Sequence, residues 1–180
     1  MSATHLLRAV LQAMQKHGLE AILIGNAGAA IHGAPVTTLD FDFMIRDTPV
    51  NMRKLKAVAK ELKAVILRPY YPVSKLYRMV DDDLGLQVDF MPVVDGVKSF
   101  NSLRSRASRV MLENAPLLLA SLADIVISKQ AAARPRDVAV MEVLQRTLHE
   151  QTKSQSPQKS PSDTAGSTRR SQGRKRPSPH

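Results

Sequence analysis

Two aspartates interrupt an apolar run in the stretch "GNAGAAIHGAPVTTLDFDFMI", residues 25–45. Asp40 and Asp42 lie there among aromatic and aliphatic side chains, where an unpaired carboxylate is costly. Because side chains alternate between the two faces of a strand, a strand over 38–45 places both aspartates on the face opposite Phe41. At a rise of about 3.4 Å per residue, the two carboxylates lie about 7 Å apart. This spacing suits divalent cations that take oxygen ligands.

A third aspartate has similar surroundings in "LQVDFMPV", residues 86–93. Asp89 is flanked by Val88 and Phe90, so in a strand it lies on the face opposite both. If this strand neighbours the first, three acids converge on one patch. Two-metal phosphoryl transfer uses such a cluster to hold ions about 3.5–4 Å apart.

The residues before the paired aspartates supply a site for anions. A short buried strand, "AILIG", ends at Gly25 and leads directly into a small-residue helix over 26–33. Backbone N–H groups at such a junction favour phosphate oxygens, so a nucleoside triphosphate could bind there beside Mg²⁺. Two plainer interpretations stay open: a single D-x-D motif is frequent, and these glycines also permit a turn or close helix packing.

The remaining pattern predicts a small α/β (α+β) domain, with a mixed β-sheet flanked by helices. Leucine, valine and methionine recur at helical spacing over 4–17, with Gly18 placed to end that helix. "DDDLG" at 81–85 predicts a turn that joins two strands as a hairpin. Further predicted elements are a helix over about 49–63, strands in "AVILRP", "KLYRMV" and "LQVDFMPVV", and helices over 116–149 with Pro116 and Pro135 in their first turns.

Composition bounds the kind of protein. Its 180 residues suit one domain, predicted as a core over 1–115, a C-terminal helical extension of the same domain over 116–150 and a tail over 151–180. The absence of cysteine excludes disulfides and thiolate metal sites. Neither a signal-peptide pattern nor an apolar run of membrane-spanning length occurs, so we expect a cytoplasmic location and no membrane partner.

The last 30 residues carry much of the positive charge. The segment 151–180 has seven Lys or Arg residues against a single Asp163, and it has almost no apolar residue. Its Ser, Pro, Gln and Lys content cannot form a core, so we expect a disordered basic tail. Such a tail can add affinity for nucleic-acid phosphates, or it can simply be solvated.

The segments "IGNAGAAIHGAPVTTLDFDFMI" and "VDFMPV" together resemble the nucleotidyltransferase fold of the DNA-polymerase-β-like superfamily. In that pattern a strand, a glycine pair or Gly-Ser and a short helix precede a strand with D-x-D and a later strand with a third aspartate. The "HG" pair and Thr38 are similar to minimal bacterial nucleotidyltransferases, including the toxin-type members of abortive-infection toxin–antitoxin systems. "LADIVISKQAAARPRDVAVMEVL" is similar to the C-terminal helical motif of that group.

The resemblance implies an Mg²⁺-dependent enzyme that transfers a nucleoside monophosphate from an NTP to a hydroxyl acceptor, with 1–115 as its nucleotidyltransferase core. Asp40, Asp42 and Asp89 would be the catalytic residues and the ligands of two Mg²⁺ ions, with Asp89 also helping to activate the acceptor hydroxyl. The acceptor would be tRNA or another RNA, a protein or a small molecule. As a toxin–antitoxin component, the chain would also have a cognate antitoxin protein as its partner.

The same resemblance assigns the nucleotide contacts to Gly25, Asn26, Thr38 and Lys129, with Asp137 supporting the lysine. Without it, Lys129 reads as an exposed helix cation and Asp137 as a first-turn acid stabilised by a helix N-terminus. His32 reads as a structural residue, because no serine or cysteine nucleophile is paired with it.

Two departures from the family pattern keep a second function open. Asn26 stands where relatives have Ser or Gly, and Val36 stands where many have Arg. These changes favour a non-catalytic binding module, an antitoxin-like or regulatory partner, whereas the three retained aspartates favour an enzyme. A metal-dependent nuclease is a third reading, but it leaves the glycine-rich segment without a use.

Overall fold

Helices and strands alternate over the first part of the chain, from residue 3 to residue 67. The computed structural model describes residues 2–38, 40–67 and 76–155, and within these ranges the chain forms six helices and seven strands. The helices are α1 (Ala3–Lys16), α2 (Gly25–Ile31), α3 (Pro49–Glu61), α4 (Phe100–Arg104), α5 (Leu122–Ala132) and α6 (Pro135–Gln155). The strands are β1 (Ala21–Ile24), β2 (Phe41–Ile45), β3 (Val65–Leu67), β4 (Tyr77–Asp81), β5 (Leu86–Met91), β6 (Ser108–Leu112) and β7 (Ala115–Leu119).

The helix ends follow local capping chemistry. Thr48 and Ser121 accept hydrogen bonds from backbone N–H groups in the first turns of α3 and α5, which satisfies donors that a helix leaves unpaired. Gly18, with φ +63°, follows α1 in the left-handed conformation that a non-glycine residue adopts at a cost. The predicted helix over 4–17 is therefore confirmed to within one residue at each end.

The seven strands form one mixed sheet in the order β3-β4-β5-β2-β1-β7-β6. β1 pairs in parallel with β7, and β2 pairs in parallel with β5, whereas the other neighbours are antiparallel. β2 and β5, which carry the D-x-D motif's second aspartate and the later aspartate, are thus direct neighbours. This confirms the predicted α/β class with a mixed sheet and the adjacency that the acidic cluster required.

Apolar side chains cover both faces of the sheet. Phe43 of β2 and Phe90 of β5 stack with ring centroids 5.6 Å apart and are fully buried on the face that carries α1 and α3. Met44 and Met91 belong to the opposite face, in a second core formed with α2, α5 and α6. Since neighbouring residues in a strand face opposite ways, Asp42 and Asp89 share the face of the two methionines. The α5 and α6 helices cover part of that face.

The helix predicted from residue 116 is wrong at its start. Ala115–Leu119 is strand β7, which pairs with β6 in an antiparallel hairpin and with β1 in the sheet. Pro116 lies within that strand, opposite Met111, instead of in a first helical turn. Pro135 does begin a helix, and the predicted break at Arg134–Pro135 separates α5 from α6. Neither α4 nor β6 was predicted.

The other boundaries differ by a few residues. The D-x-D strand begins at Phe41, so Asp40 precedes it, and the turn after β4 spans residues 82–85. The carboxylate of Asp81, the last residue of β4, accepts the backbone N–H groups of Asp83 and Leu84, which confirms the predicted turn. α6 continues to Gln155, five residues into the predicted tail; residues 156–180 lie outside the described ranges, as does the end of the strand predicted in "AVILRP". The boundaries at 115 and 150 stay predictions.

Candidate active site

The pairing register aligns charged residues in one row across the sheet. Arg78 of β4 lies opposite Asp89 of β5, Asp89 lies beside Asp42 of β2, and Asp42 lies opposite Ile24 of β1. Residues in register on adjacent strands place their side chains on the same face, close enough to interact. The row therefore delivers a cation and two carboxylates to one patch of the sheet, directly before the first residue of α2.

Asp40 completes an acidic cluster with Asp42 and Asp89. One carboxylate oxygen of each residue lies within 4.8 Å of those of the other two. Asp89 is buried and the other two are half-buried. The convergence predicted from the sequence is therefore present, although Asp40 reaches it from the residues before β2 and not from the strand itself.

Thr38 orients Asp40. Its hydroxyl donates to a carboxylate oxygen of Asp40 at 2.7 Å, and the backbone N–H of Asp40 donates to the threonine oxygen at 3.3 Å. These contacts fix the segment that leads into β2. Thr38 thus holds a member of the acidic cluster, while its predicted contact with the nucleotide stays a prediction.

Gly25 is required by the close approach of Asp42. It adopts φ +66°, and a Cβ atom at this position would lie 2.2 Å from a carboxylate oxygen of Asp42. No other residue type fits without moving that carboxylate, because real Cβ atoms do not come so near. Asn26 follows, and its side-chain oxygen is buried without a hydrogen-bond partner among the residues that the structure describes. An orphaned buried acceptor is uncommon and is worth an explanation at a ligand site.

A cavity of about 700 Å³ opens over the acidic cluster. Its wall opposite the acids comes from α5, α6 and the turn between them. The charged and polar residues that line it are Asn26, Asp40, Asp42, Arg78, Asp89, Asp95, Ser128, Lys129, Arg134, Arg136 and Asp137. All of the predicted site residues except Thr38 contribute to this lining, and Thr38 lines a smaller adjoining pocket with Asn26 and Asp40.

Lys129 and Asp137 form a buried ion pair in that wall. The ammonium nitrogen lies 2.8 Å from a carboxylate oxygen, and the side chains are only 11% and 6% exposed. The pair joins α5 to α6, so the predicted partnership between these residues is present in the structure. Lys129 is not the exposed helix cation that its sequence context alone suggests.

The cluster raises the proton affinity of one of its members. Burial raises the pKa of Asp42 to about 6, and repulsion by Asp40 and Asp89 adds to the effect. The positive charges of Arg136 and Lys129 act in the opposite direction. A carboxylate with this pKa needs a compensating cation to stay ionised at low cost near neutral pH.

The basic residues of the site that sequence reasoning missed include Arg78 and Arg136. The guanidinium of Arg78 contacts both carboxylate oxygens of Asp89, at 2.8 and 2.7 Å. Arg136, in the first turn of α6, lines the cavity and forms no ion pair with a carboxylate in the described part of the chain. No local sequence signal gives Arg78, because its pairing with Asp89 depends on the register between the strands that "KLYRMV" and "LQVDFM" form.

His32 lies apart from the acidic cluster. Its Nε2 donates to the backbone carbonyl of Ala120 at 2.8 Å, and its own carbonyl accepts from Gln151 of α6. These contacts join the end of α2 to the residues after β7 and to α6. They agree with the structural role predicted for this histidine.

The residues present fit a divalent metal ion. Three carboxylates can each offer an oxygen from within 4.8 Å of the others, and carboxylate oxygens are the ligands that Mg²⁺ prefers. Gly25 leaves space against Asp42 that any side chain would fill. The donor set and the open cavity therefore suit hard cations of the magnesium type.

Comparison with solved structures gives the fold a name. The antibiotic-resistance factor ANT(2'')-Ia in solution matches 84% of this chain and 87% of its own, with a TM-score of 0.59 and 11% identity. Its crystal structure in complex with adenylyl-2''-tobramycin matches 86% of this chain and 94% of its own, with a TM-score of 0.59 and 13% identity. A candidate nucleotidyltransferase from Thermotoga maritima matches 81% and 92%, with a TM-score of 0.51 and 17% identity. The chain thus has the fold of minimal nucleotidyltransferases.

Comparison of the sequence with protein-family models and with curated proteins found no match. The described helices include none that is both long enough and apolar enough to cross a membrane. The toxin-type resemblance and the cytoplasmic location stay predictions.

Proposed function

We propose that this chain, which has the nucleotidyltransferase fold, transfers a nucleoside monophosphate from an NTP to a hydroxyl acceptor and releases pyrophosphate. The observation that carries the proposal is the convergence of Asp40, Asp42 and Asp89 at the floor of a cavity. A structural core has no use for three carboxylates this close together, because their mutual repulsion and burial are costly. In a nucleotide-transfer site, three such carboxylates would bind the metal ions that the reaction requires.

Asp40, Asp42 and Asp89 would hold two Mg²⁺ ions in this proposal. The bound ions would neutralise the phosphate charge and stabilise the attacking and leaving oxygens of an in-line displacement. Thr38 keeps the Asp40 carboxylate directed at the cluster through its 2.7 Å hydrogen bond. The absent side chain of Gly25 lets the Asp42 carboxylate lie against the start of α2.

The nucleotide contacts fall to residues around the acids. We assign the triphosphate to the backbone of Gly25, the amide of Asn26 and the ammonium group of Lys129, with Thr38 beside them. Asp137 fixes the position of Lys129 through the buried ion pair. The side-chain nitrogen of Asn26 can donate a hydrogen bond to a phosphate oxygen, so the change from Ser or Gly at this position is compatible with nucleotide binding.

The chemical step conserves atoms and charge. The oxygen of the acceptor hydroxyl bonds to the α-phosphorus, while the bond from that phosphorus to the bridging oxygen of pyrophosphate breaks. The hydroxyl proton passes to the carboxylate of Asp89 and then to solvent, as in general base catalysis. Since the cavity holds the NTP and the acceptor together, much of the rate gain comes from orientation.

The acceptor is proposed to be RNA, tRNA included, ahead of a protein or a small molecule. α3 presents exposed cations at Arg53, Lys56 and Lys60, and the 151–180 segment adds further positive charge. Positive charge of this kind supplies sequence-independent affinity for phosphates. The adenylyl-tobramycin found with ANT(2'')-Ia makes a small-molecule acceptor the next candidate. A role in a toxin–antitoxin pair, with a cognate antitoxin as partner, belongs to the same proposal.

The test incubates the protein with each α-³²P-labelled NTP, Mg²⁺ and one acceptor pool at a time: total RNA, protein extract or small-molecule extract. We expect label on one pool with the wild type and none with the double variant Asp40→Asn/Asp42→Asn. The double variant keeps side-chain volume, so its fold is checked by circular dichroism. Transfer that persists in the folded double variant contradicts the proposal.

A non-catalytic binding module is the second candidate. It is favoured by Val36, which packs against the second core and offers no cation, and by Asn26, which stands where relatives have Ser or Gly. Calorimetry with an NTP, with and without Mg²⁺, separates the two functions. Metal-dependent NTP binding supports the enzyme, whereas its absence, together with no labelled pool, supports the binding module.

A further inference from the structure

The pair between Arg78 and Asp89 joins a cation to the acidic cluster itself. The guanidinium Nε donates to one carboxylate oxygen at 2.8 Å and Nη2 donates to the other at 2.7 Å. The arginine side chain is 39% exposed and lines the cavity, whereas that of the aspartate is 7% exposed. This is the paired, planar geometry that a guanidinium forms with a carboxylate and an ammonium cannot reproduce.

The contact with Arg78 leaves the Asp89 carboxylate able to bind a further ligand. A carboxylate has about four lone-pair sites on its two oxygens, and the guanidinium uses one on each. The other site on each oxygen stays available to a metal ion or to the proton of an acceptor hydroxyl. An arginine in this position therefore fixes the plane of the carboxylate and leaves one lone-pair site on each oxygen available for a further ligand.

The backbone holds Arg78 in place for this purpose. Arg78 and Asp89 are direct partners in the antiparallel β4–β5 register, and Asp89 is the direct partner of Asp42 in the parallel β2–β5 register. A cation on a flexible loop would offer charge alone. A guanidinium anchored in the same row of the sheet also fixes the orientation of the Asp89 carboxylate.

We propose that Arg78 is the positioning residue for Asp89: its bidentate contact sets the carboxylate plane in which that acid binds a metal ion and receives the acceptor proton. The role of Asp89 as the acceptor of the hydroxyl proton rests on the proposed function. Its role as a metal ligand depends only on the acidic cluster. The alternative is that Arg78 merely offsets negative charge, in which case any cation at this position serves equally well.

The variant Arg78→Lys distinguishes positioning of Asp89 from simple charge compensation, because it keeps the positive charge and loses the bidentate geometry. The matched control is Arg106→Lys. Arg106 also binds both carboxylate oxygens of a buried aspartate, Asp124: Nε donates to the two oxygens at 3.0 and 3.1 Å, and Nη2 donates to one of them at 2.7 Å. The side chains are 48% and 8% exposed. That pair lies outside the cavity, so the control measures the general effect of replacing such an arginine by lysine.

The first readout is the affinity for Mn²⁺, a spectroscopic substitute for Mg²⁺, measured by calorimetry on metal-free protein. We expect Arg78→Lys to weaken Mn²⁺ binding by about 10- to 100-fold, the usual effect of losing a group that orients a metal ligand. Arg106→Lys should bind Mn²⁺ as the wild type does. Thermal melts of both variants establish that they are folded.

The second readout uses Arg78→Ala with an added small cation in the transfer assay. Guanidinium can enter the cavity and restore the planar contact, whereas methylammonium brings only charge. We expect guanidinium to restore transfer and methylammonium at the same concentration to leave it low. Equal restoration by the two cations shows that charge alone matters and overturns the inference.

Failure of the inference can be told apart from failure of the proposed function. If the wild type binds Mn²⁺ and transfers no nucleotide, the transfer proposal fails and the Mn²⁺ affinities alone decide the role of Arg78. Wild-type affinity for Mn²⁺ in Arg78→Lys overturns the inference, and so does an equal loss in Arg106→Lys. A wild type that binds no Mn²⁺ overturns it as well.

Discussion

Replacing Asp42 by asparagine should stabilise the metal-free protein at neutral pH. Burial and the charges of Asp40 and Asp89 raise the pKa of this carboxyl from 3.8 to about 6 in the folded chain. Between these two values the folded state holds a proton that the unfolded state has released. The free energy of unfolding therefore falls as the pH rises through this window, because the folded state binds more protons. The loss begins at the unfolded value of 3.8 and is complete once the pH has passed the folded value of about 6.

The size of the effect follows from the shift. A difference of about two pKa units corresponds to about 3 kcal/mol, at about 1.4 kcal/mol per unit. This is an upper value, because Asp42 is only half-buried and solvent screens part of the repulsion. An asparagine side chain carries no charge at any of these pH values, so the variant avoids the cost altogether. For a chain of this size, each kcal/mol moves the melting temperature by about 2–4 °C.

The assay is chemical denaturation of wild type and Asp42→Asn in EDTA at a series of pH values from about 4 to about 8, which spans the raised pKa. Taking the difference between the two proteins at each pH cancels groups that titrate alike in both. We expect little difference at the acid end and a growing advantage for the variant up to neutral pH. Excess Mg²⁺ should narrow that advantage, since cations bind the wild-type carboxylate.

Asp124→Asn provides a control of opposite sign. Burial alone would raise the pKa of Asp124, but hydrogen bonds from Arg106 and Ser121 outweigh it and hold that pKa below its usual value. Asparagine there should destabilise the protein at neutral pH. If Asp42→Asn is no more stable than the wild type at neutral pH in EDTA, the reasoning about the acidic cluster is wrong.

Two further predictions test the walls of the site. Gly25→Ala places a methyl group against the Asp42 carboxylate, so it should abolish Mn²⁺ binding, measured by calorimetry. The control is Gly85→Ala, because Gly85 also has a positive φ, +64°, but has open space around it. This control variant should lose only about 1–2 kcal/mol of stability to backbone strain and should bind Mn²⁺ as the wild type does. Lys129→Ala leaves Asp137 buried and unpaired, so it should lower the free energy of unfolding by about 3–5 kcal/mol in urea denaturation. A loss below about 1 kcal/mol, the range of exposed pairs, would refute the buried character of that ion pair.

Alternation along strands made the acidic cluster predictable. The placement of Asp42 opposite the phenylalanine face, and of Asp89 opposite Val88 and Phe90, follows from a period of two, which holds for any strand. Asp40 was placed in the same strand, although β2 begins one residue later. Its position depends on the hydrogen bond from Thr38, a local contact that periodicity does not describe.

The β6–β7 hairpin shows where the pattern fails. "APLLL" is a continuous apolar run, and such a run fits a buried strand as well as a helix. The missed signal is the pair Glu113 and Asn114, which have φ +43° and +68° and form the two-residue loop between the strands. Two left-handed residues in a hairpin loop are typical of a type I′ turn, and asparagine favours that conformation.

Arg78 could not be assigned to the site from sequence because its role depends on partner choice. The hairpin turn was predicted, yet the cross-strand partner of Asp89 depends on the register on both sides of that turn. A one-residue slip would send Arg78 to the other face of the sheet. Tertiary pairing, and not local pattern, brings the cation to the acid.

The measurement that tests the central claim most directly compares the same NTP labelled at the α- or the γ-phosphate, with Mg²⁺ and the acceptor pool. We predict that wild-type protein transfers the α-label to the acceptor and releases the γ-label as pyrophosphate, and that Asp40→Asn/Asp42→Asn does neither. Transfer of the γ-label to the acceptor would mean a kinase-type reaction. That result, or transfer of the α-label by the folded double variant, would contradict nucleotidyl transfer at the acidic cluster.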